Sequence, residues 1–252
     1  MQPLGSGSDY TVFLDHLGVP AVDAGFAGRY GVYHSVYDTY RWMATQGDPA
    51  FRYTAGMARY AGVLALRFAN ADLLPYGASA YGPEIARYAR GLSGIPGGSA
   101  GALDHELRDL AERAEAWSAA SAAAEKALNE TLSGASARPA GPQAAAADLA
   151  SANAWLLSLE RSLCDPEGIP KRGWFKHLIY APLPSYLAET LPGIREALNA
   201  GETDVARVEI ERLTRRLSAA TEAARKIAGA SALPSSPTPS TVPPPRPTPR
   251  RR

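Results

Sequence analysis

Apolar residues return every three or four positions in three separate stretches between Leu103 and Ala220, a period that fits helices and not strands. In the first stretch Leu103, Leu107, Leu110, Ala114, Trp117 and Leu128 line one face of a helix of about seven turns. The second carries Leu149, Ala152, Leu156, Leu159 and Leu163 and stops at Asp165 and Pro166, because proline cannot continue the hydrogen-bond ladder. The third runs from Thr203 to about Ala228. It places Val205, Val208, Leu213, Leu217 and Ala220 inward and pairs Glu211 with Arg215 and Glu222 with Lys226 on its wet face. Long amphipathic helices with short breaks, one of them SGASARPAGP at 133–142, bury their stripes against one another and predict an all-α bundle.

Upstream the pattern changes at SGIPGGSAG, 93–101, whose glycine density marks a boundary between a first unit over 1–95 and a helical unit over 100–230. In the first unit, SDYTVFLDHL at 8–17 reads as a short helix ending at Gly18, and VPAVDAGF at 19–26 as a short buried strand. Asp48 and Pro49 then open a long helix with Met57, Tyr60, Ala61, Leu64 and Phe68 on one face, ending between Asn70 and Pro75, and a shorter helix spans Pro83 to Leu92. Helix, strand and polar loop in this order is the rhythm of an α/β sheet, so the expected fold is an α/β fragment followed by the bundle. Ligands of such sheets gather beyond the carboxyl ends of strands, where Tyr30 to His34 lie. From Pro234 onward, 19 residues hold eight of the 21 prolines and little apolar bulk, so 231–252 is expected to be a disordered or polyproline II tail.

Charge narrows the function. Of 26 basic residues, Arg246, Arg250, Arg251 and Arg252 fall in the tail, leaving 22 against 25 acidic ones. A nucleic-acid surface needs basic residues clustered on the folded part, so no nucleic-acid partner is expected. The single cysteine, Cys164, rules out an internal disulfide and a cysteine-based zinc knuckle. MQPLGSGSDY lacks the charged and apolar pattern of a leader, and no run approaches ~18 apolar residues, so no membrane segment is expected.

Few residues carry recognisable chemistry. YGVYHSVYDTY, Tyr30 to Tyr40, sets four tyrosines around one of only four histidines. His34 with Asp38 and His105 with Asp109 stand four apart, but neither forms the two-histidine helical zinc motif. The second pair reads as a surface contact, and His16 and His177 as ordinary helix or loop histidines. GSGSD, 5–9, lacks the lysine of a phosphate loop. On periodicity alone His34 reads as a satisfied core or surface histidine sooner than as a metal ligand.

The order of the segments goes further. LGSGSDYTVFLDHLGVPAVDAGF, YGVYHSVYDTYRWM, DPAF, LERSLCDPEGIP and FKHLIYAPLPSYLAETLPGIREAL follow one another at fitting distances. Together they resemble the C-terminal part of the zinc-peptidase family that includes glutamate carboxypeptidase II and the non-catalytic transferrin receptor. The resemblance covers Leu4 to about Ile227. It implies that the first unit is the end of an α/β peptidase domain and the second a helical dimerisation domain, hence a homodimer. In catalytic members the histidine at the position of His34 ligates one zinc of a two-zinc site, and the tyrosine at Tyr33 donates toward the developing oxyanion. A neutral imidazole is a good zinc ligand, and a phenol beside a metal suits a negative tetrahedral oxygen. Gly7 and Ser8 match a loop that touches the peptide substrate, and Tyr186 matches a tyrosine that closes over its terminal side chain.

There are departures from the family pattern. Two arginines that recognise acidic side chains in glutamate carboxypeptidase II fall on Asp23 and Gly25, and a substrate-carboxylate lysine falls on Ser185. A hydrophobic or general dipeptide therefore suits the pocket better than a glutamate-containing one. The remaining zinc ligands and the glutamate base of the family lie upstream of the glycine loop and are not in these 252 residues. One histidine cannot hold zinc at useful affinity. The expectation is a C-terminal portion of a carboxypeptidase- or dipeptidase-type enzyme, inactive by itself, with a non-catalytic dimerisation or binding module as the alternative. Relatives are often extracellular, periplasmic or membrane-anchored.

Overall fold

The computed structural model of the chain describes residues 3–28, 30–95, 100–135, 142–183 and 187–231. The expected proline-rich tail, Tyr186, Ser185 and the middle of the glycine-rich boundary lie outside the described residues.

In chain order the helices are the one-turn α1 (Tyr40–Trp42), α2 (Arg52–Ala69), α3 (Tyr81–Leu92), α4 (Asp104–Ala135) and α5 (Pro142–Ser162). A two-stranded antiparallel ribbon, β1 (Tyr180–Pro182) and β2 (Ala188–Thr190), pairs Ala181 with Glu189, and α6 (Pro192–Asn199) and α7 (Thr203–Ser231) follow. The described residues are mostly helical, as the periodicity predicts. α4 and α7 pack along one another, with α3 against α4 and α5 and α6 against α7.

The first stripe is buried throughout: Leu103, Leu107, Leu110, Ala114, Trp117 and Leu128 all lie in one core, joined by Leu156, Leu159 and Leu163 of the α5 region and by Leu213, Leu217 and Ala220 of α7. α3 belongs to the same core through Ile85, Ala89 and Leu92. Its approach to α4 is set by Gly82, where a Cβ would stand 2.2 Å from the Ala114 carbonyl oxygen. Only the smallest residue admits that crossing.

Two details of α7 differ from the expectation. Val208 is 51% exposed, while Glu209 and Ile210 are buried. α7 contacts α4, α5 and α6 at once, so its buried arc is wider than a single stripe and is centred one to two residues further on. Glu222 pairs with Arg225 instead of Lys226, whereas the Glu211–Arg215 pair forms at 3.8 Å.

The larger difference is upstream. Residues 19–28 form no strand where described, and Val22 and Phe26 are exposed. A strand exists only by pairing its backbone, and no strand pairs with this segment among the described residues; Pro20 also lacks a donor. The helix expected over 8–17 is present as a turn that widens to π-type hydrogen bonding at Val12–His16, and it ends at Gly18, φ +62. α2 begins at Arg52, three residues later than Pro49. Asp48 still caps it, with Oδ1 accepting from Arg52 N and Oδ2 from Thr54 N, both at 2.9 Å. Burial works against the Asp48 carboxylate, but hydrogen bonds from Thr54 and neighbouring amides hold it below its ordinary range. None of the residues of α2 is fully buried.

Candidate functional site

The loop of His34 is built by local hydrogen bonds. Ser35 N donates to the Val32 carbonyl at 2.9 Å, its hydroxyl does so at 2.7 Å, and Asp38 N reaches the Ser35 carbonyl. This turn holds His34 at φ +58, a left-handed conformation rare for a residue with a side chain. The imidazole stacks on Tyr33, centroids 3.9 Å apart and planes 19° from parallel, and both side chains are exposed. Tyr30 stacks on Trp42 at 5.5 Å and Tyr40 on Phe51 at 6.1 Å. Asp38 is exposed, like His34.

Gly7, at φ +104, and Ser8 form an exposed turn in which the Ser8 carbonyl accepts from the Thr11 amide and hydroxyl. Beside them opens a cleft of about 670 Å³. The glycine loop (Gly5, Ser6), the segment Asp23 to Phe26, the α2 residues Gly56, Met57 and Tyr60, and Leu187 and Ala188 next to Tyr186 line it. Segments far apart in sequence thus share one depression, whose described lining includes neither Gly7 nor Ser8. It is within the size range of small-molecule sites.

Of the histidines outside the loop, His177 departs from its expectation. His105 is exposed and Asp109 pairs with Arg113 at 3.3 Å. His16 stacks on Trp174, with Nδ1 2.7 Å from the Trp174 carbonyl. His177 is fully buried. Its Nδ1 lies 3.2 Å from the amides of Ile179 and Tyr180, so that nitrogen accepts and Nε2 carries the proton, donating to Glu160 Oε2 at 3.0 Å. Glu160 Oε1 in turn accepts from the Tyr81 hydroxyl at 2.9 Å, and burial together with Glu160 pushes that phenol far above its ordinary range.

Against this network sits Asp15, fully buried, with neither carboxylate oxygen hydrogen-bonded. Its backbone carbonyl accepts from the amides of Lys176 and His177, at 2.7 and 3.1 Å, and so docks the N-terminal turn onto the 165–177 loop. Burial raises its pKa from 3.8 to about 7, with Glu160 adding to the rise and His177 and Arg172 opposing it. Nothing in the local sequence marks Asp15 or His177. The docking of Asp15 joins residues more than 150 positions apart, and the His177 network reaches back to Glu160 and, through it, to Tyr81.

Metal binding can be tested against these positions. Among the described residues no three His, Cys, Asp or Glu side chains come together where a metal could be held. His34 is one exposed donor, and the residues present do not by themselves fit a zinc centre. No described helix is long and apolar enough to cross a membrane.

Among the described residues the chain combines a bundle of long helices with a depression of small-molecule size. Residues 99–225 match the transferrin receptor-like dimerisation domain, and the chain belongs to that family. Similarity extends upstream as well. A probable glutamate carboxypeptidase of Arabidopsis thaliana, LAMP1, is 33% identical over 200 residues, 77% of this chain and 27% of the relative. The aminopeptidase NAALADL1 of Rattus norvegicus is 28% identical over 226 residues, 83% of this chain and 29% of that protein. An inactive zinc metalloprotease of Schizosaccharomyces pombe is 28% identical over 222 residues, 82% of this chain and 26% of that protein. The chain therefore spans under a third of the length of these relatives and is related to metallopeptidases of the glutamate carboxypeptidase type.

Proposed function

We propose that these residues serve as the C-terminal portion of a two-zinc peptidase of carboxypeptidase or dipeptidase type, homodimeric through the α3–α7 bundle. In this reading residues 1–95 complete the peptidase domain and 100–230 form the dimerisation domain. His34 supplies one zinc ligand, Tyr33 a hydrogen-bond donor toward the substrate oxygen, and Gly7, Ser8 and Tyr186 contacts to the peptide. The observation that carries it is the posture of His34: an exposed imidazole fixed in a strained left-handed turn and stacked on a tyrosine. Strain of this kind persists where surrounding structure enforces it and clusters at functional sites.

Zinc, when bound in the intact family, supplies an activated water; the described residues contribute one donor to it, and no hydrolytic step is assigned to them alone. The test is a chimera in which this chain replaces the corresponding portion of the Arabidopsis relative. It should be a dimer, bind two zinc ions and cleave a mixed dipeptide panel, and His34→Ala should lower zinc content from two ions toward one and turnover by about 100-fold. Unchanged zinc content in His34→Ala would overturn the assignment.

A second reading, a non-catalytic dimerisation module, draws on the absence of a converging ligand set among the described residues and on the relative named as inactive. It expects the chimera to dimerise and yet bind no zinc.

A further inference from the structure

The cleft beside the glycine loop has a chemical character of its own. Among its described lining residues Asp23 is the single formally charged side chain, and no lysine, arginine or histidine accompanies it. Three aromatic rings, Tyr10, Phe26 and Tyr60, share the lining with Met57 and Leu187. The rings are positioned from both sides. Phe26 packs edge-on against Tyr53 of α2, centroids 5.1 Å apart, and Gly56 leaves the α2 surface bare beneath it, a Cβ there standing 4.0 Å from the ring tip. Tyr10 reaches the glycine loop through a 3.5 Å bond from its hydroxyl to the Ser6 carbonyl.

We propose that this cleft selects a peptide with a cationic side chain, Asp23 acting as its counter-ion and Tyr10, Phe26 and Tyr60 as the aromatic walls. The proposal rests on the peptidase reading for its ligand class and on the lining for its charge preference. A lysine or arginine has an apolar stem that suits Met57 and Leu187 and a charged end attracted by both a carboxylate and ring faces. A glutamate side chain in the same place meets a like charge, with no cationic side chain among the described lining residues to offset it. Burial, followed by the carboxylates of Asp23 and Asp15, holds the Tyr10 phenol above its ordinary pKa, so it stays neutral and presents a ring and a hydroxyl, not a second anion.

The test is direct binding to the full chain, followed by NMR shifts of the Gly5, Gly25 and Gly56 amides during titration with Ala-Lys, Ala-Leu and Ala-Glu dipeptides at low salt. The lysine dipeptide should bind about tenfold more tightly than the glutamate one. Asp23→Asn should weaken the lysine dipeptide about fivefold and leave the leucine one unchanged. Tyr60→Leu should weaken it by a similar factor without restoring the glutamate dipeptide. Equal binding of the lysine and glutamate dipeptides, or lysine binding indifferent to Asp23→Asn, would overturn the proposal, as would a lysine dipeptide that produces no saturable shift. The zinc content of the chimera does not depend on side-chain preference, so failure here is separable from failure of the peptidase reading.

Discussion

The buried carboxylate of Asp15 makes the docking of the N-terminal turn dependent on pH. With a folded pKa of about 7 against 3.8 when exposed, the folded turn holds a proton that the opened turn releases. Between those values the docked state binds more protons, so its stability falls as pH rises from about 4 to about 7 and is flat above. The full separation corresponds to ~4 kcal/mol at about 1.4 kcal/mol per pH unit; water reaching a short surface turn relaxes this to about 2 kcal/mol. The facing groups are Tyr10 on the same turn, Glu160 and Cys164 from α5 and the residue pair after it, and Arg172 and His177 from the loop. The amides of Lys176 and His177, which donate to the Asp15 carbonyl, report the opening directly. Hydrogen exchange at pH 5 and pH 8, corrected for intrinsic rates, should show their protection reduced about 8-fold at the higher pH, because about two of the three pH units over which the effect is lost lie in that interval. Asp15→Asn should remove most of that difference. Equal protection of the wild-type amides at both pH values, or an undiminished pH dependence in Asp15→Asn, would refute the reasoning.

Other perturbations have simpler readouts. Trp117→Ala empties the centre of the bundle and should cost about 3–5 kcal/mol in urea unfolding. Gly82→Ala forces α3 off the α4 backbone and should lose about 2–3 kcal/mol, whereas Gly62→Ala on the open face of α2 should not destabilise. Cys164 is buried, and burial, with Glu160 behind it, pushes its thiol up to about 12; a disulfide reagent at pH 8 should therefore label the native chain far more slowly than the urea-unfolded one. Light scattering should return twice the chain mass at micromolar concentration if the bundle is the dimer interface.

The helices were legible because each carries its instruction locally: Leu103 to Leu128 repeat on one face, and every named member of that stripe is buried. Gly18 and Asp48 were legible as a stop and a cap for the same reason. Where position depends on a distant partner, the reading fails. VPAVDAGF has a strand's composition, but a strand needs a neighbour, and residues 19–28 have none among the described elements. Val208 fits a single-stripe helix, whereas α7 is covered from several directions. His34 was singled out by the order of the segments around it, and the structure adds its strained turn and the stack on Tyr33. His177 and Asp15 gave no signal, since their burial is created by α5 and the 165–177 loop closing over them.

α2 buries none of its residues completely, and 15 of the 19 large apolar side chains exposed among the described residues fall between Val12 and Leu66. Unfolding that stretch uncovers little that water does not already touch, so it adds little heat capacity and little cooperative enthalpy. In a calorimeter the first quarter of the chain should melt almost silently, and the measured endotherm should be that of the helices from α3 onward.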